Sequence, residues 1–448
     1  MAIQLFSALA VLAFVLGGQL QPALAQEGPK PGDVITAAEA ERVRGLIPDA
    51  LYPYGIQDFA DLRMEIVETR DYTPHASYVK ATVDHACQAS LDGDGNLVNY
   101  VAGQPFPYSE WAKAATGHRC DLSPDDPQFG LKLAWNVNYR WQGSGLNYPQ
   151  WGFSYMRNSG KDLWRLGQGV YRRTYFSHRA DLDGRELVEG TDVEWAEFID
   201  VNDPFDLRGT MFLLYRYTDP GKEDDTWAYI PSLRRVRRIA TTQKSDSLLG
   251  TEFSFEDFYL FAGYVLDQQW TFGGESTQLA ALSSRRSCYP SNLGPDFQQR
   301  KEGLIRLATR EEWDACRWGP FGALPFVEER WEKRTTFVLE DVPKQKGHPY
   351  SRRNIWYDKE TMWSLYSIAY DRAGDPYKIF AHVASWSEDT TNPGNAGTRV
   401  ALGSALVAVN LQNKNSHVIQ FYTRNVFPFS GEETERFFDI TRLKKQGR

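Results

Sequence analysis

"LRGTMFLLYRYTD", residues 207–219, alternates between two sets of side chains along its whole length. Successive side chains of a β-strand point to opposite faces of its sheet. One face would carry Met211, Leu213, Tyr215 and Tyr217, and the other Phe212, Leu214, Arg216 and Thr218. The stretch therefore predicts a β-strand, and it sets the fold class if the rest of the chain repeats it.

Five further stretches repeat this alternation and are rich in aromatic and β-branched residues. They are VEWAEFID (193–200), RWEKRTTFVLEDV (330–342), RRNIWYDKETMWSLYSIAYD (352–371), YKIFAHVASW (377–386) and SHVIQFYTR (416–424). Asp358-Lys359-Glu360 predicts a hairpin turn between two such runs, and LDGDGNLV (91–98) predicts another. Short polar connections favour antiparallel pairing. We predict a mainly β (α+β) fold with one large, strongly curved antiparallel sheet and helices on its inner face, or two smaller sheets.

Helices are expected to be few. Thr36 and Glu39 form a capping-box pattern at the start of TAAEAERVRGLI (36–47), which predicts a short N-terminal helix. Two more helices are predicted near 295–315 and over 432–443, the latter with Ser430 and Glu433 as its capping box. No internal repeat or flexible linker divides the chain, so residues 26–448 are predicted to form a single domain.

The first 25 residues predict export. They carry no charged side chain, are largely apolar from Ile3 to Leu16, and end in Ala23-Leu24-Ala25 before Gln26. This is typical of a secretory signal peptide cleaved after Ala25, with an uncleaved membrane anchor as the alternative. The 448-residue chain has 50 basic and 58 acidic residues, a net charge of -8. Nucleic-acid-binding surfaces are basic overall, so we predict no nucleic-acid partner.

The four cysteines are Cys87, Cys120, Cys288 and Cys316. In an exported chain an even number predicts disulfides. Four cysteines allow three connectivities, and we favour 87 with 120 and 288 with 316 because short loops close more readily. Since His85 and His118 each lie two residues before a cysteine of the first couple, a zinc site is the alternative there. Pairing of the thiols is favoured in an oxidising compartment, so no metal or cofactor is predicted.

The common local motifs of catalysis are missing from the sequence. It contains no G-x-S-x-G elbow, Walker A loop, G-x-G-x-x-G or H-E-x-x-H. These absences lower the expectation of an enzyme without excluding a site assembled from distant residues, and no catalytic residue is predicted.

"TWAYIPSLRRVRRIATT", residues 226–242, concentrates positive charge in an acidic chain. On a strand, Arg235 and Arg237 share one face, while Arg234 and Arg238 share the other. One interpretation is a cross-strand ladder of ion pairs with nearby carboxylates. These are Glu223, Asp224, Asp225, Glu252, Glu256 and Asp257. The other is recognition of an anionic group by guanidinium forks. We expect Arg235→Ala or Arg237→Ala to reduce stability or ligand retention more than Arg352→Ala. Arg-Arg also occurs at 172, 285 and 352.

The same region resembles the exported bacterial domain-of-unknown-function family 1329. The resemblance rests on W-x-Y-x-P-x-x-R-R-V-R-R within WAYIPSLRRVRRI, on LYPYGIQDFADL near the N-terminus and on RRNIWYDKETMWSLYSIAYDRAGDPYK near the C-terminus. The residues that match the central signature are Trp227, Tyr229, Pro231, Arg234, Arg235, Arg237 and Arg238. The cysteine-bearing segments 84–122 and 286–318 depart from the family pattern.

This family is grouped with the outer-membrane lipoprotein-sorting proteins LolA and LolB. The resemblance implies a half-open antiparallel barrel around helices, with a cavity for a hydrophobic molecule or lipid. It also implies a Gram-negative periplasm and partnership with a resistance-nodulation-division type transporter and an outer-membrane protein. We expect a periplasmic carrier or adaptor, with a structural subunit of an envelope complex as the alternative. The candidate ligand-binding residues are Trp227, Tyr229, Arg234, Arg235, Arg237 and Arg238.

Overall fold

The computed structural model describes residues 28–118, 120, 122–219, 221–240, 243–284, 318–389, 393–421, 425–426 and 436–446. The predicted signal peptide, the couple Cys288 and Cys316, the predicted helix near 295–315 and the capping box at Ser430 lie outside these residues.

Strands dominate the described residues. They are β1 Val34–Thr36, β2 Arg63–Ile66, β3 Ser90–Leu91, β4 Leu97–Val98, β5 Gly145–Arg157, β6 Asp162–Tyr175, β7 Val193–Asp203, β8 Thr210–Tyr217, β9 Asp225–Ile230, β10 Arg235–Ile239, β11 Gln268–Ala280, β12 Val327–Pro343, β13 Arg352–Asp358, β14 Ser364–Tyr370, β15 Pro376–Trp386, β16 Ala401–Asn410, β17 Ser416–Phe421 and β18 Asn425–Val426. The α-helices are α1 Tyr52–Gly55, α2 Ala76–Asp84, α3 Glu110–Thr116, α4 Phe129–Asn138 and α5 Ile440–Gln446.

Sixteen strands form one sheet in the order β1-β2-β12-β13-β14-β15-β16-β17-β5-β6-β7-β8-β9-β10, with β11 on β12 and β18 on β5. Every described pairing between strands in it is antiparallel except that of β2 with β12. β13 and β14 are joined by the turn predicted at 358–360, and β3 and β4 form the hairpin predicted at 91–98. The mainly β, antiparallel prediction is confirmed.

The sheet is strongly curved. Arg216 on β8 donates a hydrogen bond to the carbonyl of Ala262 at 2.9 Å, and Arg353 on β13 pairs with Asp257 at 3.5 Å. Eight strand spacings separate β8 from β13, about 38 Å in a flat sheet at about 4.8 Å each. Five residues of extended chain span only about 18 Å. Both strands reach this short segment because the sheet curls around it.

The inner face is filled by residues 243–267, which we call the inner segment, and by α4. The aromatic residues Phe253 and Phe261 of the inner segment and Phe129 of α4 belong to one buried cluster with side chains from β5 to β16. Gly130 of α4 lies so close to β11 that a Cβ there would come within 3.0 Å of the strand backbone. α4 and the inner segment therefore occupy the concave side of the sheet together, which is the side where the curved-sheet prediction placed helices.

Two separate layers cover the outer face. Residues from the N-terminal part, including Ile35, Leu51 and Met64, bury the outer side chains of β12 to β16. Leu443 of α5, with Phe437 and Phe438, covers the outer side chains of β7 to β9. β16 is buried along its whole length because it has an apolar layer on each face, which explains why its sequence is mostly apolar on both faces, with Ser404 and Asn410 as the polar exceptions.

The helix predictions need correction at the N-terminus. Residues Ala37–Val43 form a 3-10 helix, and the Thr36 side chain does not cap it. The predicted reciprocal capping box is therefore wrong. α2, α3 and α4 were not predicted, because each is short and lies between loops. α2 and α3 end near Cys87 and Cys120, which form a disulfide, as predicted.

Candidate functional site

An apolar cavity lies on the inner face, between the inner segment and seven adjacent strands of the sheet. It contains about 920 Å³ of empty space, its open mouth included. The wall residues from the sheet are Trp151, Phe153, Tyr155, Trp164, Arg165, Tyr171, Ile199, Val201, Leu207, Phe212, His382, Leu406, His417, Ile419 and Phe421. The inner segment contributes Leu248, Leu249, Gly250, Thr251, Phe253, Phe258 and Tyr259.

Aromatic rings form much of the cavity wall. Trp151 and Phe153 stack with ring centroids 5.5 Å apart, and Phe253 lies 5.1 Å from the His417 ring. Strand alternation explains this wall, because every second residue of β5 points to the concave side. The rings are held by the sheet backbone, so the cavity offers a preformed apolar surface.

Two histidines in the wall are neutral at physiological pH. Burial lowers the pKa of His382 to about 3, with a further decrease from Arg140. Burial and the nearby Lys378 lower the pKa of His417 to about 3 as well. Neither ring therefore adds charge to the cavity. Arg165 is the one wall residue of fixed charge, and it pairs with Asp206 at 2.8 Å.

Some polar atoms in the wall have no hydrogen-bond partner among the residues that the structure describes. These are both ring nitrogens of His417, which is 3% exposed, and Nε1 of Trp151. Buried polar groups are usually satisfied. The cavity can therefore offer one indole donor and one imidazole donor-acceptor pair to an uncharged polar group within an otherwise apolar ligand.

The inner segment is anchored to the sheet by a buried carboxylate. Glu252 accepts hydrogen bonds from Tyr155 at 3.1 Å, Asn410 at 2.9 Å and Asn413 at 3.0 Å. Lys378 donates to the Glu252 carbonyl at 2.7 Å. These contacts fix the chain directly after the Leu248–Gly250 turn, so one side of the cavity is held in place by polar bonds outside its apolar wall.

The predicted binding residues lie elsewhere. Tyr229 is buried and Trp227 packs with ring centroids 5.2 Å from Tyr215, both in the cluster beneath α5 on the outer face. Arg234 ends a 3-10 turn with φ 48°, and Arg235 and Arg237 on β10 are exposed. None of the six lines the apolar cavity. Their role in ligand binding stays a prediction.

The expected ladder of ion pairs is largely wrong. Arg238 pairs with Asp225, but no other arginine of this cluster has an ion pair among the described residues. Four of the other candidate carboxylates have different partners. Asp224 pairs with Arg216, Glu252 with Lys378, Glu256 with His348, and Asp257 with Arg353. The turn before β10 directs these arginines to solvent, while those carboxylates belong to the buried inner segment or its surroundings.

Sequence reasoning missed most of the cavity because its wall residues look like ordinary core residues. Residues 91–118, which belong to the first cysteine-bearing segment, contribute nothing to this wall.

Within the described ranges no group of three or more His, Cys, Asp or Glu residues is arranged to hold a metal ion. No described helix has the length and apolar character needed to cross a membrane.

The chain belongs to the DUF1329 family of proteins of unknown function. The family model matches residues 34–443, which include the signature at 227–238. A search of curated proteins returns no match.

Solved structures with similar folds share little sequence. An outer-membrane lipoprotein-sorting protein domain described as putative, from Vibrio parahaemolyticus, is 18% identical, with a TM-score of 0.44 over 71% of this chain and 99% of its own. A DUF1329 protein from Desulfovibrio piger is 16% identical, with a TM-score of 0.44 over 70% of this chain and 97% of its own. A LolA superfamily protein from Nitrosomonas europaea is 10% identical, with a TM-score of 0.36 over 68% and 96%.

Proposed function

We propose that this protein is a periplasmic carrier or adaptor that holds a hydrophobic, lipid-like molecule in the apolar cavity. The observation that carries the proposal is the cavity wall, which is built almost entirely from aromatic and aliphatic side chains on seven adjacent strands and the inner segment. A preformed apolar surface of this kind favours burial of an acyl chain or a fused-ring molecule, because transfer of apolar surface from water is favourable.

The mouth of the cavity supports entry from solution. Trp164 is 45% exposed, and the Arg157 guanidinium lies 3.7 Å from the centre of its ring. Leu249 of the inner segment, another wall residue, has a left-handed φ of 52°, which is uncommon for a residue other than glycine. A hydrophobic molecule would first meet the exposed indole and then pass into the apolar wall.

Export to the periplasm is part of the proposal, and the apparent signal sequence together with the Cys87–Cys120 disulfide supports it. The proposed partners are a resistance-nodulation-division type transporter and an outer-membrane protein. Their support is the family resemblance alone, so a pull-down from envelope membranes is the direct measurement.

The cavity proposal is tested by ligand extraction and by one substitution at the mouth. Purified protein should release a lipid-like molecule detectable by mass spectrometry, or bind a fluorescent fatty acid. Leu249→Glu places a carboxylate in the apolar wall and should weaken probe binding at least tenfold. Leu233→Glu is the matched control, because Leu233 is 44% exposed and does not line the cavity.

Equal binding by both variants, with equal melting temperatures, would place the ligand elsewhere. Protein that is consistently empty and binds neither fatty acids nor sterols would contradict the carrier proposal. In that case recovery of a membrane partner would favour a structural subunit.

A further inference from the structure

A second, smaller pocket lies beside the apolar cavity on the same concave side of the sheet. It contains about 470 Å³ of empty space, its opening included. We call it the arginine pocket, since its wall includes Arg140, Arg173 and Arg216, with Glu197 as the one carboxylate. Trp195 and Tyr357 lie among the other wall residues.

One of the three arginines has no carboxylate partner among the described residues. Arg216 pairs with Asp224 at 2.9 Å, and Arg173 pairs with Glu197 at 3.3 Å. Arg140 donates to the carbonyl of Val137 at 2.9 Å, and its guanidinium lies 5.1 Å from the centre of the Tyr259 ring. The described residues give it no ion pair. Burial lowers the pKa of Arg140, because holding a charged guanidinium away from water costs free energy.

Four buried donors around the pocket have no acceptor within the described part of the chain. They are Nε of Arg140, Nε of Arg173, Nε1 of Trp195 and the hydroxyl of Tyr357. Arg173, Trp195 and Tyr357 are each less than one-tenth exposed. Guanidinium and indole nitrogens only donate, so the missing partner must supply acceptor oxygens. An anionic group would satisfy the donors and also compensate the charge of Arg140.

Tyr259 joins this pocket to the apolar cavity, because its side chain lines both. Its hydroxyl lies 2.8 Å from that of Tyr171, a cavity wall residue, which donates to Glu197 of the arginine pocket at 2.6 Å. The apolar wall and the cationic wall thus meet at a pair of tyrosines. A single amphiphilic molecule can place its two ends on either side of Tyr259.

We propose that the arginine pocket binds the anionic head group, a carboxylate or a phosphate monoester, of an amphiphile whose chain occupies the apolar cavity. This rests on the proposed carrier function and specifies its ligand class. The head group is held by the charge of Arg140 and by donors from Tyr357, Trp195 and Arg173. The pocket is smaller than the apolar cavity, which favours a compact head group over a large one.

Three probes with the same twelve-carbon chain test the proposal. Binding of dodecanoate, dodecyl phosphate and dodecan-1-ol is measured at pH 8 below their critical micelle concentrations, by displacement of a fluorescent fatty acid. At least one anionic probe should bind ten or more times tighter than the alcohol, and the tighter of the two identifies the head group. Arg140→Met should reduce that preference to less than threefold.

Tyr357→Phe removes one donor hydroxyl without changing the charge and should reduce the preference threefold or more. It keeps the test decisive if Arg140→Met fails to fold. Arg352→Met, on β13 but outside both pockets, is the matched control and should retain the full preference.

The outcomes separate the two proposals. Equal binding of all three probes, as expected if water alone satisfies the donors, overturns the anionic site and leaves the carrier function standing. A preference that survives both pocket variants also overturns it. Failure of every probe to bind would count against the carrier function itself, and the head-group proposal would fall with it.

Discussion

The dipeptide Arg-Arg is buried to different extents in two regions of this molecule. In β6 and β13, which lie inside the sheet, the pairs at 172 and 352 divide, so that Arg173 and Arg353 are buried while their neighbours are partly exposed. In β10, the last strand of the sheet order, the arginines at 235, 237 and 238 are all exposed.

The position of the strand decides the difference. An interior strand has partners on both edges, so an inward-facing arginine meets carboxylates of the neighbouring strand and of the inner segment. Arg353 therefore reaches Asp341 at 2.8 Å, with both side chains fully buried. β10 pairs only with β9 in the described sheet, and its side chains meet mostly solvent. Alternation predicts which side chains share a face, but only the strand order tells whether that face is buried.

The largest expected effect comes from breaking the buried pair. Arg353→Met leaves Asp341 and Asp257 without their cation in a dry environment, and removal of one partner from such a group costs about 3–5 kcal/mol. Urea unfolding should show this loss of stability. Arg352→Met is the control one residue away, since Arg352 is partly exposed and lies 3.7 Å from Glu340.

A double variant sharpens this result. Asp341→Asn combined with Arg353→Met removes one of the two uncompensated carboxylates and should recover part of the lost stability, as a double-mutant cycle would measure. If the two single-residue arginine variants lose equal stability, burial does not distinguish the members of this pair.

A smaller effect concerns a buried carboxylate that a proton neutralises. Glu194 on β7 is 3% exposed, and burial raises its pKa to about 7, aided by Asp224 and opposed by Arg216 and Arg173. Because the folded pKa lies above the unfolded value, the associated stability is present below about pH 4.5 and is lost as the pH rises through about 7.

Glu194→Gln should abolish this dependence, which amounts to about 3 kcal/mol between pH 4.5 and pH 8. Unfolding in urea at several pH values measures it against the wild type, with Glu65→Gln at an exposed position as control. Parallel pH profiles for wild type and Glu194→Gln would show that nearby arginines, not a proton, balance this carboxylate.

The sequence predicted the strands well because their signal is local. The alternation at 211–217 is confirmed on both faces, since Met211 and Leu213 pack beneath α5 while Phe212 and Leu214 join the inner cluster. The family resemblance implied an apolar cavity, but the residues that line it and the arginine pocket were not predicted, because they depend on how the inner segment crosses the sheet. Among the pocket arginines, Arg173 on β6 and Arg216 on β8 carried a usable signal, namely a charge on the inward face of a buried strand.

The smallest expected effect is at the edge strand. Arg235 is exposed and has no ion pair among the residues described, so Arg235→Ala should change the free energy of unfolding by no more than about 0.5 kcal/mol. The sequence predicted that Arg235→Ala would lower stability or ligand retention more than Arg352→Ala, and for stability we now expect the reverse. The Arg352 guanidinium lies 3.5 Å from the centre of the Tyr370 ring, whereas Arg235 has no comparable contact with the described residues. Urea unfolding and retention of a bound fatty acid should both be measured. A loss of fatty-acid retention at unchanged stability would show that the edge arginines serve the ligand or its delivery. A loss of stability above 1 kcal/mol would show that the position of a strand in the sheet does not decide how much its arginines contribute to stability.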